Sequence, residues 1–259
     1  GRVKAVYCQS YFQNPTGLTL SLDRRERLVE IVKKYSRDHR IVVIEDAAYR
    51  ELRYDGAALP SVKSFDRDNA FVASCYTFDK PFAAGLKLGY VFAPPEIARQ
   101  LLEQKGNHDF GSPHLCQQIV LEALLDGTYE RHLADVHAGY KPKRDAMLAA
   151  LAEAFDGVEG VQWTTPEGGL YVWLSLPRDA DTSRHGGMFD AALREGVLYV
   201  PGEYCFAAAD EFVVPQNHMR LCYAVTPIEQ IAEGVARLAR VILKPSEEAG
   251  VVTAEGARR

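Results

Sequence analysis

Three polar side chains follow strand-like segments and could do chemistry together. Asp46 ends the buried run IVVIED, Lys80 follows FVASCYTFD, and Asn14 lies in the loop after the first strand-like segment. Ligands of open α/β sheets bind beyond the carboxyl ends of the strands, where these three residues would meet. A lysine amine in an apolar or cationic site has a lowered pKa and becomes a nucleophile. Such a lysine, together with a carboxylate that binds a protonated ring nitrogen, is what a protein contributes to pyridoxal phosphate chemistry.

An α/β sheet would position these residues. The continuous β-branched run Ile41–Ile44 is typical of a strand that is buried on both faces. Apolar residues at i, i+3, i+4 and i+7 predict an amphipathic helix over 21–38, with Ser21 as its N-cap. Three further segments are predicted to be strands: Val3–Cys8, Phe71–Tyr76 and Gly89–Ala93. The alternation of strand, helix and strand indicates an α/β fold.

The second half of the chain has a different pattern, with long helices and shorter strands. The predicted helices are Ser112–Asp126, Tyr129–Phe155, Met188–Arg194 and a last one marked by apolar residues from Ile228 to Ile242. The predicted strands are Leu170–Leu176, Val197–Val200 and Met219–Ala224. Gly196 is placed to end the third of these helices as its C′ residue. A domain boundary is expected inside the long helix, near 135–145.

Six motifs occur along the chain in a fixed order. They are NPTG (Asn14–Gly17), DAAY (Asp46–Tyr49), TFDKPFAAGLKLGY (Thr77–Tyr90), PEGGLYVW (Pro166–Trp173), VPGEYCF (Val200–Phe206) and MRLCYA (Met219–Ala224). Together they resemble the class I/II aminotransferases of fold type I over nearly the whole chain. The subgroup that they resemble contains 2-aminoadipate-type and aromatic aminotransferases and the aminotransferase-like domains of MocR/GntR regulators. NPTG alone would be a weak signal, and the order and spacing of all six motifs carry the resemblance.

The resemblance implies the α/β fold of a fold-type-I pyridoxal-phosphate-dependent transferase. Residues 1–140 would be the C-terminal portion of the large, parallel-sheet cofactor domain, including the start of the interdomain helix. Residues 141–245 would form the small C-terminal α+β domain, and 246–259 would be a disordered tail. The site would lie in the cleft between the domains. The resemblance also implies pyridoxal 5'-phosphate as the cofactor and a homodimer with residues from both subunits in each site.

The resemblance further implies a role for each motif residue. Lys80 would form a Schiff base with the cofactor and then move the Cα proton, while Asp46 would keep the pyridine nitrogen protonated. Arg220 would bind the substrate α-carboxylate as a bidentate partner. The remaining cofactor contacts would be Asn14 and Tyr49 at the phenolic oxygen of the ring, and Thr77 and Lys87 at the phosphate.

This sequence departs from the subgroup's pattern at several places. Lys87 replaces the usual arginine, and a lysine cannot form the same two-pronged contact with phosphate. Asp79 replaces the usual serine and brings a carboxylate close to the phosphate, and Ala84 replaces a proline. The family's phosphate loop, ring-stacking aromatic residue and substrate-gating segment all precede NPTG. Since the chain begins at Gly1 without Met, we expect a fragment or a processed product.

Each of these assignments has a structural alternative. The NPTG segment could be an ordinary Asn-Pro turn. Gly168 and Gly169 could be turn glycines or could line the substrate side of the site. The other structural alternatives are a strand-end cap for Asp46, a packing hydroxyl for Thr77, an ion-pair partner for Arg220 and surface lysines for Lys80 and Lys87.

The composition excludes several classes of protein. The 259 residues carry a net charge of -5, which argues against a dominant surface for nucleic acid or anionic membranes. No apolar run approaches the ~18–20 residues that span a bilayer, and no secretory signal is visible. The five cysteines are scattered without a CxxC pair, and the seven histidines show no metal-ligand spacing. These features predict a soluble, cytoplasmic protein that binds no metal.

The sequence therefore predicts transfer of an amino group between an α-amino acid and a 2-oxo acid, with pyridoxal phosphate as cofactor. One alternative is the effector-sensing domain of a MocR/GntR-type transcription regulator, which would meet nucleic acid only through an upstream DNA-binding domain. Another alternative is a truncated, inactive fragment. A lyase or a decarboxylase would use the same framework, and the substrate is not readable from the sequence.

Overall fold

The structure is a computed structural model that describes residues 2–207 and 212–243, so the predicted tail over 246–259 lies outside the described residues. The strands are β1 (Ala5–Gln9), β2 (Val42–Asp46), β3 (Val72–Thr77), β4 (Gly89–Phe92), β5 (Gln162–Trp163), β6 (Tyr171–Ser175), β7 (Val200–Pro201) and β8 (His218–Cys222). The helices are α1 (Leu22–Tyr35), α2 (Pro95–Asp109), α3 (His114–Leu125), α4 (Thr128–Phe155), α5 (Gly187–Arg194) and α6 (Ile228–Ile242).

The first sheet has the strand order β1-β2-β3-β4, and β1, β2 and β3 are parallel. The predicted α/β fold with a parallel sheet is thereby confirmed. Helix α1 starts after Ser21 and packs Val29 and Val32 against Val43 and Val72, which forms the core on one face of this sheet. Strand β4 runs antiparallel to β3, because the short connection over 78–88 has no crossover helix.

The second sheet has the order β5-β6-β8-β7 and is antiparallel throughout. Its core is built from inward-facing residues such as Leu174 and Met219, which pack with apolar residues of α4, α5 and α6. Gly196 follows α5 with a φ of +75°, as predicted for a C′ residue. The predicted strand Val197–Val200 is wrong in its bounds, because only Val200–Pro201 pairs with β8.

A loop between β5 and β6 joins the second sheet to the first part of the chain. The backbone N–H of Gly169 donates to the Leu52 carbonyl oxygen at 2.8 Å, and Gly168 forms an isolated bridge with Arg53. A Cβ on Gly168 would clash with the Leu52 carbonyl oxygen and the Phe12 ring. The two glycines therefore allow a close approach of two backbones, which supports the structural alternative for them.

The described residues include neither a membrane-spanning helix nor a cluster of metal ligands. None of the described helices is long and apolar enough to cross a lipid bilayer. Within 2–207 and 212–243, no three His, Cys, Asp or Glu side chains converge where a metal ion could bind.

Candidate active site

Asp46 lies at the carboxyl end of β2, where the parallel strands of the first sheet end. Its Oδ2 accepts hydrogen bonds from the Tyr7 hydroxyl at 2.6 Å and from the Gln9 amide nitrogen at 3.2 Å. Its Oδ1 accepts the backbone N–H of Ala48 at 3.0 Å. Gln9 and Asp46 are partners in the register of β1 and β2, so the strand pairing itself brings their side chains together. The carboxylate is thereby held in a fixed orientation by three donors.

Asn14 and Arg220 meet across the two sheets, although 206 residues separate them in sequence. The Arg220 Nη1 donates to the Asn14 side-chain oxygen at 2.7 Å, and the guanidinium lies 4.3 Å from the centroid of the Tyr171 ring. The Arg220 Nε is buried, and no acceptor in the described part of the chain bonds to it. A buried, charged donor of this kind is suited to bind a carboxylate.

Tyr49 lies beside the same ring. Its hydroxyl is 3.4 Å from the Tyr171 hydroxyl, and the two rings pack edge to face with centroids 5.9 Å apart. Burial, together with the hydrogen bond to Tyr171, raises the pKa of Tyr49 above its ordinary value. Tyr49 therefore stays protonated and can donate a hydrogen bond. The structure thus brings Asn14, Tyr49 and Arg220 together around Tyr171.

A second group of site residues lies beyond the end of β3. The Thr77 hydroxyl accepts the backbone N–H of Asp79 at 3.0 Å and donates to the Leu88 carbonyl oxygen at 3.3 Å. The Lys87 ammonium is 3.7 Å from the Asp79 Oδ2. The Asp79 Oδ1 is buried, and none of the described groups donates to it. This group therefore holds a hydroxyl and a cation together with an unsatisfied carboxylate oxygen.

Lys80 follows Asp79 in the turn after β3, and it is exposed. The described part of the chain therefore does not enclose this amine. No described acceptor is hydrogen-bonded to its ammonium group. The exposed amine is accessible to an aldehyde, and Lys80 directly follows Asp79 in the chain.

The pairing of β2 with β3 puts the two groups at one edge of the first sheet. Asp46 is the register partner of Cys75, and Thr77 is two residues further along β3. One end of the site therefore holds an acid and an arginine, and the other end holds a hydroxyl and a lysine cation. This arrangement can bind a ligand that carries a basic ring nitrogen, a carboxylate and a second anionic group.

Sequence reasoning missed two groups that contact Asp46, namely Tyr7 and Gln9. Both lie on β1 and alternate with Cys8, so they share one face of the sheet. The parallel register of β1 and β2 is the signal that could have found them, because it places Gln9 opposite Asp46. Tyr171 was quoted within a motif, but its place between Tyr49 and Arg220 depends on the approach of the two sheets.

The fold and the site define a protein of the fold-type-I, pyridoxal-phosphate-dependent transferase class. A parallel sheet presents an acid and a lysine at its carboxyl edge, and an arginine of a second, antiparallel sheet reaches the same edge. Comparison with known proteins agrees with this class. The family described as "Aminotransferase class I and II" matches residues 2–238, and the chain belongs to this family.

Several of the similar proteins are aminotransferases. The chain is 39% identical to aromatic-amino-acid aminotransferase 1 of Thermococcus litoralis, over 93% of the chain and 54% of the relative. It is 37% identical to the 2-aminoadipate transaminase of Thermus thermophilus, over 93% of the chain and 58% of the relative. A crystal structure of Pyrococcus horikoshii kynurenine aminotransferase in complex with PMP superposes with a TM-score of 0.86 and 37% identity, over 94% of this chain and 58% of that one.

Two further findings bear on function. The transcriptional regulator NorG of Staphylococcus aureus is 29% identical, over 93% of the chain and 51% of the regulator. The chain thus spans about half the length of the curated relatives that it matches. A crystal structure of the α-aminoadipate aminotransferase LysN of Thermus thermophilus holds a phosphopyridoxyl derivative of leucine; it is 36% identical, with a TM-score of 0.79 over 91% of this chain and 58% of that one.

Proposed function

We propose that this chain takes part in pyridoxal-phosphate-dependent transfer of an amino group between an α-amino acid and a 2-oxo acid. The observation that carries the proposal is the contact between Arg220 of the second sheet and Asn14 in the loop beside Asp46. That contact supports a carboxylate-binding role for Arg220 near the acid at the end of the parallel strands. We also propose that 1–140 belongs to the cofactor domain and 141–245 to a smaller domain.

The site residues fit the ring end of the cofactor well and its phosphate end less well. Asp46 would hold the ring nitrogen, and Asn14 and Tyr49 would bond to the phenolic oxygen. The Arg220 Nε is buried and has no acceptor among residues 2–207 and 212–243, which supports a carboxylate-binding role for this end of the site. At the phosphate end, Thr77 and Lys87 would bind the anion, but a carboxylate stands beside them.

The chain's own residues supply binding and proton transfer. When bound, the cofactor supplies an aldehyde that condenses with amines and a ring that takes up electrons. Lys80 would hold the aldehyde through its Nζ, and after release its amine would accept the proton from the substrate Cα. Asp46, as a carboxylate, would stabilise a proton on the ring nitrogen, and Arg220 would orient the substrate through its carboxylate.

An amino-transfer assay tests this proposal. The chain is incubated with pyridoxal phosphate, an aromatic L-amino acid or L-2-aminoadipate, and 2-oxoglutarate, and the new oxo acid is quantified. We expect the oxo acid from the wild-type chain and from Lys34→Ala, which changes an exposed lysine on α1. Lys80→Ala should give none. Absence of product from the wild-type chain at saturating cofactor would contradict the proposal.

The similarity to NorG favours a second candidate, an effector-sensing domain of a transcription regulator. In that case Lys80 would bind the cofactor and an amino-acid effector without turnover. The sequence upstream of Gly1 in the parent gene distinguishes the two functions. A winged helix-turn-helix segment there would favour the regulator. Cofactor binding without amino transfer in the assay above would favour it too.

We propose in addition that the protein is a cytoplasmic homodimer. Exposed apolar side chains on α2 and α3 support an interface, since Leu102 is 70% exposed and Leu115 and Leu125 are each 72% exposed. The five cysteines are free thiols, as is usual in a reducing compartment. Analytical ultracentrifugation of the wild-type chain should show a dimer, and a monomer at all concentrations would contradict this part of the proposal.

A further inference from the structure

Gln9 makes three hydrogen bonds at the end of β1. Its amide nitrogen donates to the Asp46 Oδ2 at 3.2 Å and to the Tyr7 hydroxyl at 2.9 Å. Its amide oxygen accepts the backbone N–H of Asn14 at 2.7 Å. The side chain thus bonds on one side to the acid of the site and on the other side to the loop that carries Asn14.

These bonds continue to the substrate end of the site. The side-chain oxygen of the same Asn14 accepts a hydrogen bond from Arg220 at 2.7 Å. An unbroken set of contacts therefore connects the Asp46 carboxylate with the Arg220 guanidinium by way of Gln9 and Asn14. Arg220 belongs to the second sheet, so this set of contacts also spans the two sheets.

The chemistry of the amide group explains why glutamine suits this position. A planar carboxamide carries donors and an acceptor on one rigid group, whereas a carboxylate only accepts and an alkyl group does neither. Tyr7 also donates to Asp46, but it is 60% exposed and contacts the acid from one side only. Gln9 is half-buried and bonded on both sides, so it fixes the position of Asp46 relative to Asn14.

The Asp46 carboxylate keeps acceptor capacity in this arrangement. A carboxylate has about four lone-pair sites on its two oxygens. In Asp46, Oδ2 accepts hydrogen bonds from Tyr7 and Gln9, while Oδ1 accepts, among the donors that the structure describes, only the backbone N–H of Ala48. A lone pair of Oδ1 therefore stays available for a protonated ring nitrogen.

Resting on the proposed function, we propose that Gln9 is a positioning residue that holds Asp46 and the Asn14–Arg220 pair at a fixed separation. The acid for the ring nitrogen and the arginine for the substrate carboxylate are then aligned before ligand binds. Preorganisation of this kind favours binding because fewer groups must be ordered in the complex.

The test compares two ligands that differ only at the ring nitrogen. Pyridoxal phosphate and its analogue with carbon in place of the ring nitrogen are titrated into the wild-type chain, Gln9→Leu and Gln13→Leu. Gln13 is the matched control, because it lies in the same segment and its side chain makes no hydrogen bond within the described part of the chain. Dissociation constants are read from the absorbance of the bound ligand.

We expect Gln9→Leu to weaken binding of pyridoxal phosphate about tenfold, the effect of losing one hydrogen bond to a charged group. Binding of the carbon analogue should weaken less, because this ligand keeps the contact to Asn14 but has no ring nitrogen for Asp46. Binding of both ligands to Gln13→Leu should stay unchanged. Equal weakening of both ligands by Gln9→Leu would show a structural role alone and would overturn the proposal. Unchanged binding of pyridoxal phosphate would overturn it as well.

A second measurement needs no cofactor and separates this inference from the proposed function. Hydrogen exchange at the Asn14 amide is compared between the wild-type chain and Gln9→Leu. Loss of the Gln9 acceptor should speed exchange at this amide about fivefold or more, with unchanged exchange in α6. An unchanged rate at Asn14 would overturn the inference even if cofactor binds. Failure of the wild-type chain to bind cofactor, with faster exchange in the variant, would count against the proposed function alone.

Discussion

The two sheets of this protein are stabilised in different ways. The second sheet has a continuous apolar core in which Leu174 and Met219 are fully buried. The first sheet packs a smaller apolar core against α1, and every residue of β4 is exposed, with Phe92 exposed by 59%. Nearly all candidate site residues lie on the first sheet or in its loops. The site is therefore carried by the region with the smaller apolar core.

Buried polar groups hold the first sheet's loops in place. Glu45, which is fully buried, accepts hydrogen bonds from the Ser10 and Ser74 hydroxyls and from the backbone N–H of Val62 at 2.8 Å. Arg25, also fully buried, donates to three backbone carbonyl oxygens, including that of Ser10. The loop that leads from β1 to Asn14 is therefore fixed by charged hydrogen bonds, which are stronger than neutral ones.

The largest effect on stability is expected in the core of the second sheet. Leu174→Ala should lower the free energy of unfolding by about 3 kcal/mol, because it removes buried methyl groups and leaves a cavity. Ile44→Ala on β2 of the first sheet should cost less than about 1 kcal/mol, since Ile44 is 37% exposed. Urea unfolding of both variants measures the difference. Equal losses would contradict the contrast between the two sheets.

A buried aspartate provides the next test. Asp66, at 4% exposure, accepts the backbone N–H groups of 70–72 and a hydrogen bond from the Lys63 ammonium. Burial alone would raise the pKa of its carboxyl, but these donors outweigh burial and lower the pKa below 3.8. Asp66→Asn should therefore cost about 2 kcal/mol of stability at neutral pH.

The sign of the pH dependence follows from the lowered pKa of Asp66. The folded chain binds this proton less readily than the unfolded chain, so the stabilisation is complete above pH 3.8 and is lost as the pH falls below it. Asp66→Asn should lack this loss, whereas Asp68→Asn, which changes an exposed residue, should behave as wild type. Parallel acid-unfolding curves for wild type and Asp66→Asn would contradict the assignment.

The smallest effect is expected at the phosphate end of the site. Asp79 places a carboxylate 3.7 Å from the Lys87 ammonium, so it competes with a phosphate for this cation. Asp79→Asn should strengthen binding of pyridoxal phosphate about tenfold, or about 1.4 kcal/mol, because it removes a like charge. Binding of pyridoxal, which lacks the phosphate, should not change. Weaker binding of pyridoxal phosphate to the variant would show that the carboxylate assists the phosphate end.

The elements with strong periodicity were predictable from the sequence. The apolar stripe of α6, the Ser21 start of α1 and the Gly196 end of α5 all agree with the structure. Helix α2 was not predicted, and none of its residues is buried, so it shows no core-facing stripe. The antiparallel direction of β4 was also missed, because a short strand carries no local signal of its direction.

Individual site residues were predictable from the sequence, but the contacts between them were not. Asp46, Asn14 and Arg220 follow from strand ends and motifs, and the structure brings Asn14 and Arg220 into contact. The roles of these residues stay predictions. Gln9 was missed because its contacts depend on the register of two strands, and sequence patterns do not give that register. The exposure of Lys80 likewise depends on what packs over the turn after β3.

Mapping the lysine that binds the cofactor shows whether Lys80 carries pyridoxal phosphate. The chain is incubated with pyridoxal phosphate, reduced with borohydride and digested, and the modified peptide is identified by mass spectrometry. We predict a phosphopyridoxyl group on Lys80, and no such group in Lys80→Ala. A chain without modification at saturating cofactor, or one modified only at other lysines, would contradict the claim that Lys80 carries the cofactor.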